Sequence, residues 1–259
     1  MKQVKQRIQM IDAVRGLAII LMVLHHMLFS LTYIFWDEVS KTPPVAQAIF
    51  GFLRGVFLSP AMDVWHTIFI CVFILIAGVS SRFSRSNGKR GAIIFGLGML
   101  LTVLTIWVLP AISSDLQGLG IYFGILHFMG LAMMIYAVIG KFLDKIPRII
   151  APFLYFFLFL FTYSFPTERW SFPNLYMLGF PDANFTSADY FPMLPWIFMF
   201  FLGTYLGKFI KDGKFPKWFY TLKIPFLPFA GRNTLVIYVV HQPIVYGFYT
   251  LLFMLIAKH

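Results

Sequence analysis

The sequence predicts an all-α membrane protein. It reads as a bundle of about seven transmembrane helices with a cytoplasmic N-terminus, and an interfacial or re-entrant helix after the first span. Three observations predict this. Hydrophobic residues fill 59% of 259 positions and charged residues only 12%, roughly half the charged share of a soluble domain. The charges are grouped, and most of the apolar runs between them can cross a hydrocarbon core of about 30 Å at about 1.5 Å per residue. Lysine and arginine also alternate between rich and poor loops, as expected because both resist translocation.

The runs follow one another along the chain. The first covers 12–32 and is too long and interrupted for a cleaved signal peptide; no small-residue cleavage site follows it. The loop after it carries only Lys41 and Arg54 as basic residues. Within that loop, 45–58 is apolar but too short to span comfortably, so it is expected to lie in the interface or re-enter the membrane. The second run, 63–80, ends before Arg82, Arg85, Lys89 and Arg90, and the third, 91–110, before a loop at Asp115 with no basic residue. The fourth, 118–140, is followed by Lys141, Lys145 and Arg148. The fifth, 149–164, is the shortest, and its long following loop has only Arg169. The sixth, 191–209, leads into Lys208, Lys211, Lys214, Lys217 and Lys223, and the seventh covers 233–257.

With Lys2, Lys5 and Arg7 ahead of the first run, this alternation places the N-terminus inside and, after seven crossings, the C-terminus outside. No soluble domain fits in the remainder, so 1–259 reads as a single domain. The net charge of +11 is then a topology signal. Its residues lie in separate loops and form no single patch, so nucleic acid is not an expected partner, whereas the lipid bilayer is. Cys71 stands alone inside a run and reads as a small buried apolar side chain. With no CxxC pattern, no metal is expected.

Ionisable residues inside spans are costly and mark candidate sites. Here they are Asp12, Arg15, His25, His26, His66, His127 and His241. Eleven residues separate Arg15 from His26, which leaves them about 20° apart around a helix, on one face, about 16 Å apart along the axis. Asp12 lies on the same side, three residues before Arg15, where a pair can form; that pair could bind a ligand or only position helices. His25 points about 80° away from Arg15. His127 enters the fourth run from its outer end, His66 opens the second, and His241 sits just before Pro243, which removes a backbone donor. Convergence of three or four imidazoles in the middle and outer membrane is expected. His25 and His66 read as interhelical partners rather than catalysts. In the outer loop, Trp170, Phe172, Tyr176, Phe180 and Phe185 lie among Glu168, Asp182 and Asp189. They could stack on a sugar or form an interfacial belt.

The stretch Arg7-Ile-Gln-Met-Ile-Asp-Ala-Val-Arg-Gly-Leu-Ala-Ile-Ile-Leu-Met-Val-Leu-His-His26 resembles the opening helix of the transmembrane acyltransferase superfamily, with an arginine, ten residues and a histidine. Three further segments are similar to motifs of its heparan-alpha-glucosaminide N-acetyltransferase-like branch. They are Gly124-Ile-Leu-His-Phe-Met-Gly130, Asp189-Tyr-Phe-Pro-Met-Leu-Pro-Trp196 with Gly203, and Gly231-Arg-Asn-Thr-Leu-Val-Ile-Tyr-Val-Val-His-Gln-Pro243.

The resemblance implies an enzyme that takes acetyl from cytoplasmic acetyl-CoA and gives it to an extracytoplasmic acceptor, usually the amine or hydroxyl of a sugar or glycan. It makes His26, His127 and His241 the catalytic candidates. Asp12, Arg15, Arg232, Asn233, Gln242 and Trp196 become candidates for holding substrate or CoA, Asn233 and Gln242 also as oxyanion donors. The basic loops at Arg82–Arg90 and Lys208–Arg232 would meet CoA phosphates. This chain departs from the lysosomal members of that branch in being shorter and in having no histidine in its first outer loop, so the role of catalytic base or acyl carrier is assigned to His26, with an acetyl-histidine intermediate and direct transfer both open. A bacterial cytoplasmic membrane is the expected location, and homo-oligomerisation stays open. A proton-coupled transporter using the same histidines is the alternative; the odd span count and the lack of a visible repeat count against it. A haem or metal protein ranks lowest.

Overall fold

In a computed structural model, residues 8–112, 118–147, 149–171 and 174–256 are described. Lys2, Lys5, Arg7, Asp115, Arg148, Phe172 and the end of the last predicted run lie outside the described residues. The described chain is helical. The named helices are α1 (Gln9–Phe29, continued by a π-helical turn at Ser30–Ile34), α2 (Pro44–Phe57), α3 (Pro60–Phe83), α4 (Asn87–Val103), α5 (Ile125–Leu143), α6 (Ile150–Phe161), α7 (Met193–Lys211), α8 (Leu227–Arg232) and α9 (Thr234–Ile256).

Among the described residues, six helical stretches have the length and apolarity to cross a membrane: Gln9–Ile34, Pro60–Phe83, Asn87–Ile112, Ile125–Leu143, Met193–Lys211 and Thr234–Ile256. The fifth predicted run differs. It forms the 12-residue α6, only about 18 Å of helix, and turns take over from Thr162. The fourth helix also starts seven residues later than the apolar run does. Residues before Ile125 are held extended because their backbone groups find other partners. Thr102 Oγ1 donates to Ile121 O (2.7 Å), Ile121 N donates to Thr105 Oγ1 (3.0 Å), and Phe191 N donates to Phe123 O (2.9 Å).

The chain divides into two compact units, 1–73 with 216–259, and 74–215. In the first, α1 and α8 cross at glycines. A Cβ on Gly16 would fall on Leu227 O, and one on Gly231 on Asp12 O. Lipid supplies no hydrophobic drive between helices, so such backbone contact is how they associate. Farther along, Leu31, Phe35, Val39, Val245, Tyr249 and Phe253 form a buried cluster, against which Phe50 and Leu53 of α2 pack. The opposite stripe of α2, Val45, Ile49, Phe52 and Val56, is exposed. Helical spacing puts these four on one face, as suits an interfacial helix facing acyl chains.

In the second unit, a Cβ on Gly203 of α7 would fall on Leu75 O of α3, and Gly91 of α4 meets Gly130 of α5 in the same way. Two hydroxyls inside the helices bond back along their own chain, Ser80 to Ile76 O (2.7 Å) and Ser81 to Ala77 O (3.0 Å), so neither meets lipid unpaired. The outer aromatics pack on one another. Trp170 meets Phe180 at 5.0 Å, and Phe185 lies between Tyr176 (4.6 Å) and Tyr190 (4.8 Å). Trp170 Nε1 also donates to Phe165 O at 3.0 Å. These rings build a small self-packed cap more than an open stacking platform.

Candidate active site

The first unit gathers four imidazoles. His26 of α1 lies against His241 of α9, ring centroids 4.9 Å apart. His25 touches His26 edge-on at 5.7 Å and stacks on His66 of α3 at 3.9 Å, the planes within 2°. Phe57 of α2 closes on His25 at 5.2 Å. The face that Arg15 and His26 share is the face turned to α8 and α9, since Arg15 Nη1 donates to Gly231 O at 3.1 Å.

Hydrogen bonds set the tautomers of the central pair. His26 Nδ1 has only acceptors near it, Met22 O at 3.1 Å and Met22 Sδ at 2.9 Å. His241 Nδ1 lies 2.6 Å from Tyr238 O. A nitrogen facing a carbonyl must carry the proton, so in both rings Nε2 keeps the lone pair. His241 is 6% exposed and its Nε2 is buried with no hydrogen-bond partner among the described residues. Two adjacent rings therefore each keep an Nε2 lone pair uncommitted by a hydrogen bond, the position from which a general base takes a proton. Tyr238, whose carbonyl orients His241, was not singled out in the sequence; its signal is the three-residue spacing on a helix.

His127 belongs to the second unit and is built differently. Gly124 N donates to its Nδ1 (3.2 Å), so its proton is on Nε2, which faces Thr102 Oγ1 at 3.1 Å. Thr102 spends its own proton on Ile121 O. The ring is 2% exposed, between Phe95 and Phe123. Both nitrogens are committed, and the ring caps the first turn of α5. Beside it, Asp189 Oδ2 accepts Ile125 N at 3.0 Å, and a Cβ on Gly124 would strike that carboxylate. The Gly124 and Asp189 motifs thus form one helix start, assembled from segments 64 residues apart.

The other candidates scatter. Arg15 Nη1 is 3.4 Å from Asp12 Oδ1, and with Gly231 O this ties α1 to α8 at the glycine crossing. Asn233 Nδ2 donates to Phe229 O (2.9 Å), Arg232 is exposed, and Gln242 is half-buried next to His241. Trp196 sits in the second unit between Phe159 and Phe191, at 5.8 and 5.5 Å.

The second unit also has a polar basin of about 390 Å³ whose lining includes Arg82, Asn87, Tyr136, Asp144, Lys208 and Lys211. Arg82 pairs with Asp144 and donates to Tyr136 Oη (2.6 Å), and Lys208 reaches Asp144 at 3.6 Å. Burial would push the Asp144 carboxyl up, but the Arg82 and Lys208 charges outweigh it and hold it below its usual range.

No curated protein and no solved structure matches the chain. The family model described as "Heparan-alpha-glucosaminide N-acetyltransferase, catalytic" matches residues 7–243, which takes in all four motifs. A multi-pass helical membrane protein with this match over nearly its whole length belongs to the heparan-alpha-glucosaminide N-acetyltransferase catalytic-domain family.

Proposed function

We propose that this membrane acetyltransferase takes acetyl from cytoplasmic acetyl-CoA and transfers it to an amine or hydroxyl of a sugar on the outer side, in the cytoplasmic membrane of a bacterium, as one functional domain. The observation that carries the reading is the His26–His241 pair with its two free Nε2 lone pairs. In the reaction, the acceptor's nitrogen or oxygen attacks the thioester carbonyl while an Nε2 takes its proton. The C–S bond then breaks, and the proton passes to the departing CoA thiolate, so atoms and charge balance. His26 is the preferred base and His241 its partner. His127, with no lone pair to offer, keeps a structural role.

Sidedness rests on charge. If α6 did not cross, the lysines at 208–223 would fall on the outer side, against their resistance to translocation. We therefore place the N-terminus and the basin at Arg82 inside, with α6 crossing in spite of its length. The basin would face CoA phosphates only once they displaced Asp144 from its two cations.

The decisive assay is release of CoA thiol from acetyl-CoA by the purified full chain in lipid nanodiscs, with and without amino-sugar acceptors. Acceptor-dependent release is expected. Neither release nor acetyl-CoA binding with any amine or hydroxyl acceptor would end the reading. With Cys71→Ser as background, cysteines at 87 and 213 should label only from the cytoplasm and one at 174 only from outside; labelling of 87 and 174 from one side would overturn the topology.

A further inference from the structure

The segment between α1 and α3 holds two basic residues, and they are treated differently. Lys41 is neutralised by Glu38, Nζ to Oε1 at 2.7 Å. Arg54 is not. Its guanidinium lies over Trp36 at 4.0 Å, yet it makes no ion pair or side-chain hydrogen bond among the described residues, and its Nε is buried without a partner. This holds although Trp36 is followed directly by Asp37 and Glu38. A half-buried guanidinium without an anion partner among the described residues, laid over an aromatic ring, is an arginine preorganised for an anion from elsewhere.

Its position gives that anion a role. Arg54 and Phe57 are three residues apart on α2, hence on one face about 5–6 Å apart between Cβ atoms. Phe57 is the ring that closes on His25, the immediate neighbour of His26. The free cation therefore stands one helical turn from the histidine cluster, at the end of α1 from which the acceptor enters.

We propose that Arg54, held on Trp36, is an anion-binding site at the acceptor end of the histidine cluster, taking a phosphate or carboxylate. It rests on the acetyl-transfer reading for its role, since the favoured source of the anion is the acceptor itself, an acidic or phosphate-bearing sugar. A bilayer headgroup offers the same phosphate chemistry, so lipid composition must be varied in the test.

Thiol release is measured in nanodiscs of pure phosphatidylcholine with glucosamine and with its phosphate monoester. The phosphate ester should show a KM lower by roughly tenfold, the scale of one charged hydrogen-bonding contact. Arg54→Gln should erase that advantage while leaving kcat and the neutral sugar's KM unchanged, and Arg54→Lys should restore part of it. If both sugars behave alike but added phosphatidylglycerol raises activity through Arg54, the site is an anion site filled by lipid. If Arg54→Gln matches the native protein with both sugars in both lipids, the site is overturned. A binding readout keeps the two proposals apart. Tryptophan fluorescence that responds to the phosphate ester, and loses the response in Trp36→Phe and in Arg54→Gln, supports the anion site even where no thiol is released. No response with full thiol release removes the site and leaves the enzyme standing.

Discussion

His127 is more deeply buried than His26, and both sit inside apolar helices, yet the two units use them in opposite ways. In the second unit every polar atom of the His127 ring is matched, by Gly124 N and Thr102 Oγ1. In the first, His26 and His241 each commit one nitrogen to a carbonyl of their own helix and leave the other uncommitted by any such bond. Burial does not separate an imidazole committed at both nitrogens from one with a lone pair to offer. The second nitrogen does, because a lone pair already accepting a hydrogen bond cannot accept a substrate proton.

The largest test of that contrast exchanges the outcomes. His26→Ala or His241→Ala should lower acetyl transfer by about 10²- to 10⁴-fold, with yield and thermal midpoint in detergent close to native. His127→Ala should do the reverse. It strands Gly124 N and opens a cavity, at a cost of about 2–4 kcal/mol, while the protein that does fold keeps most of its turnover. A dead but stable His127→Ala protein would move the reactive ring to the second unit.

Gly16→Ala and Gly231→Ala sharpen the comparison from the side of packing. Each puts a methyl group into a facing carbonyl, so the α1–α8 crossing must open at about 1–3 kcal/mol or more. Since Arg15 and His26 share a face of α1, activity should fall along with the midpoint. A midpoint unchanged in both variants would show that the crossing is looser than its backbone spacing implies.

Asp189→Ala removes a cap from the second unit only. It should cost about 1–2 kcal/mol of stability, seen as a lower melting midpoint without a change in KM for acetyl-CoA. A KM effect alone would bring Asp189 into the binding site.

The smallest effect is expected at Asp144. Its folded-state carboxyl titrates below its ordinary value, so the stabilisation is fully present at neutral pH. It fades as pH falls through the ordinary carboxylate range of about 4 and is lost below the depressed value. Because the side chain is 40% exposed, solvent screens the pair and Asp144→Asn should cost under about 1 kcal/mol. Native and variant midpoints should converge in acid; a gap that widens there would reverse the assignment.

Much of this is legible in the amino-acid sequence. Membrane residence followed from the scarcity of charge, because a chain cannot cover a water-facing surface with 12% charged residues. The common face of Arg15 and His26 followed from the helix period, since spacing along one helix is local geometry. What the sequence could not supply was azimuth between helices. It placed His127 and His241 at suitable depths but could not say that one ring would be saturated by Gly124 and Thr102 while the other met His26 with Nε2 unbonded. It gave α6 as an apolar run without saying that helix would end at Phe161, and it presented Lys41 and Arg54 as equivalent charges. Those distinctions depend on which groups distant segments bring within about 3 Å, and hydrogen bonds, ring stacks and backbone contacts of that range are decided only when the helices pack.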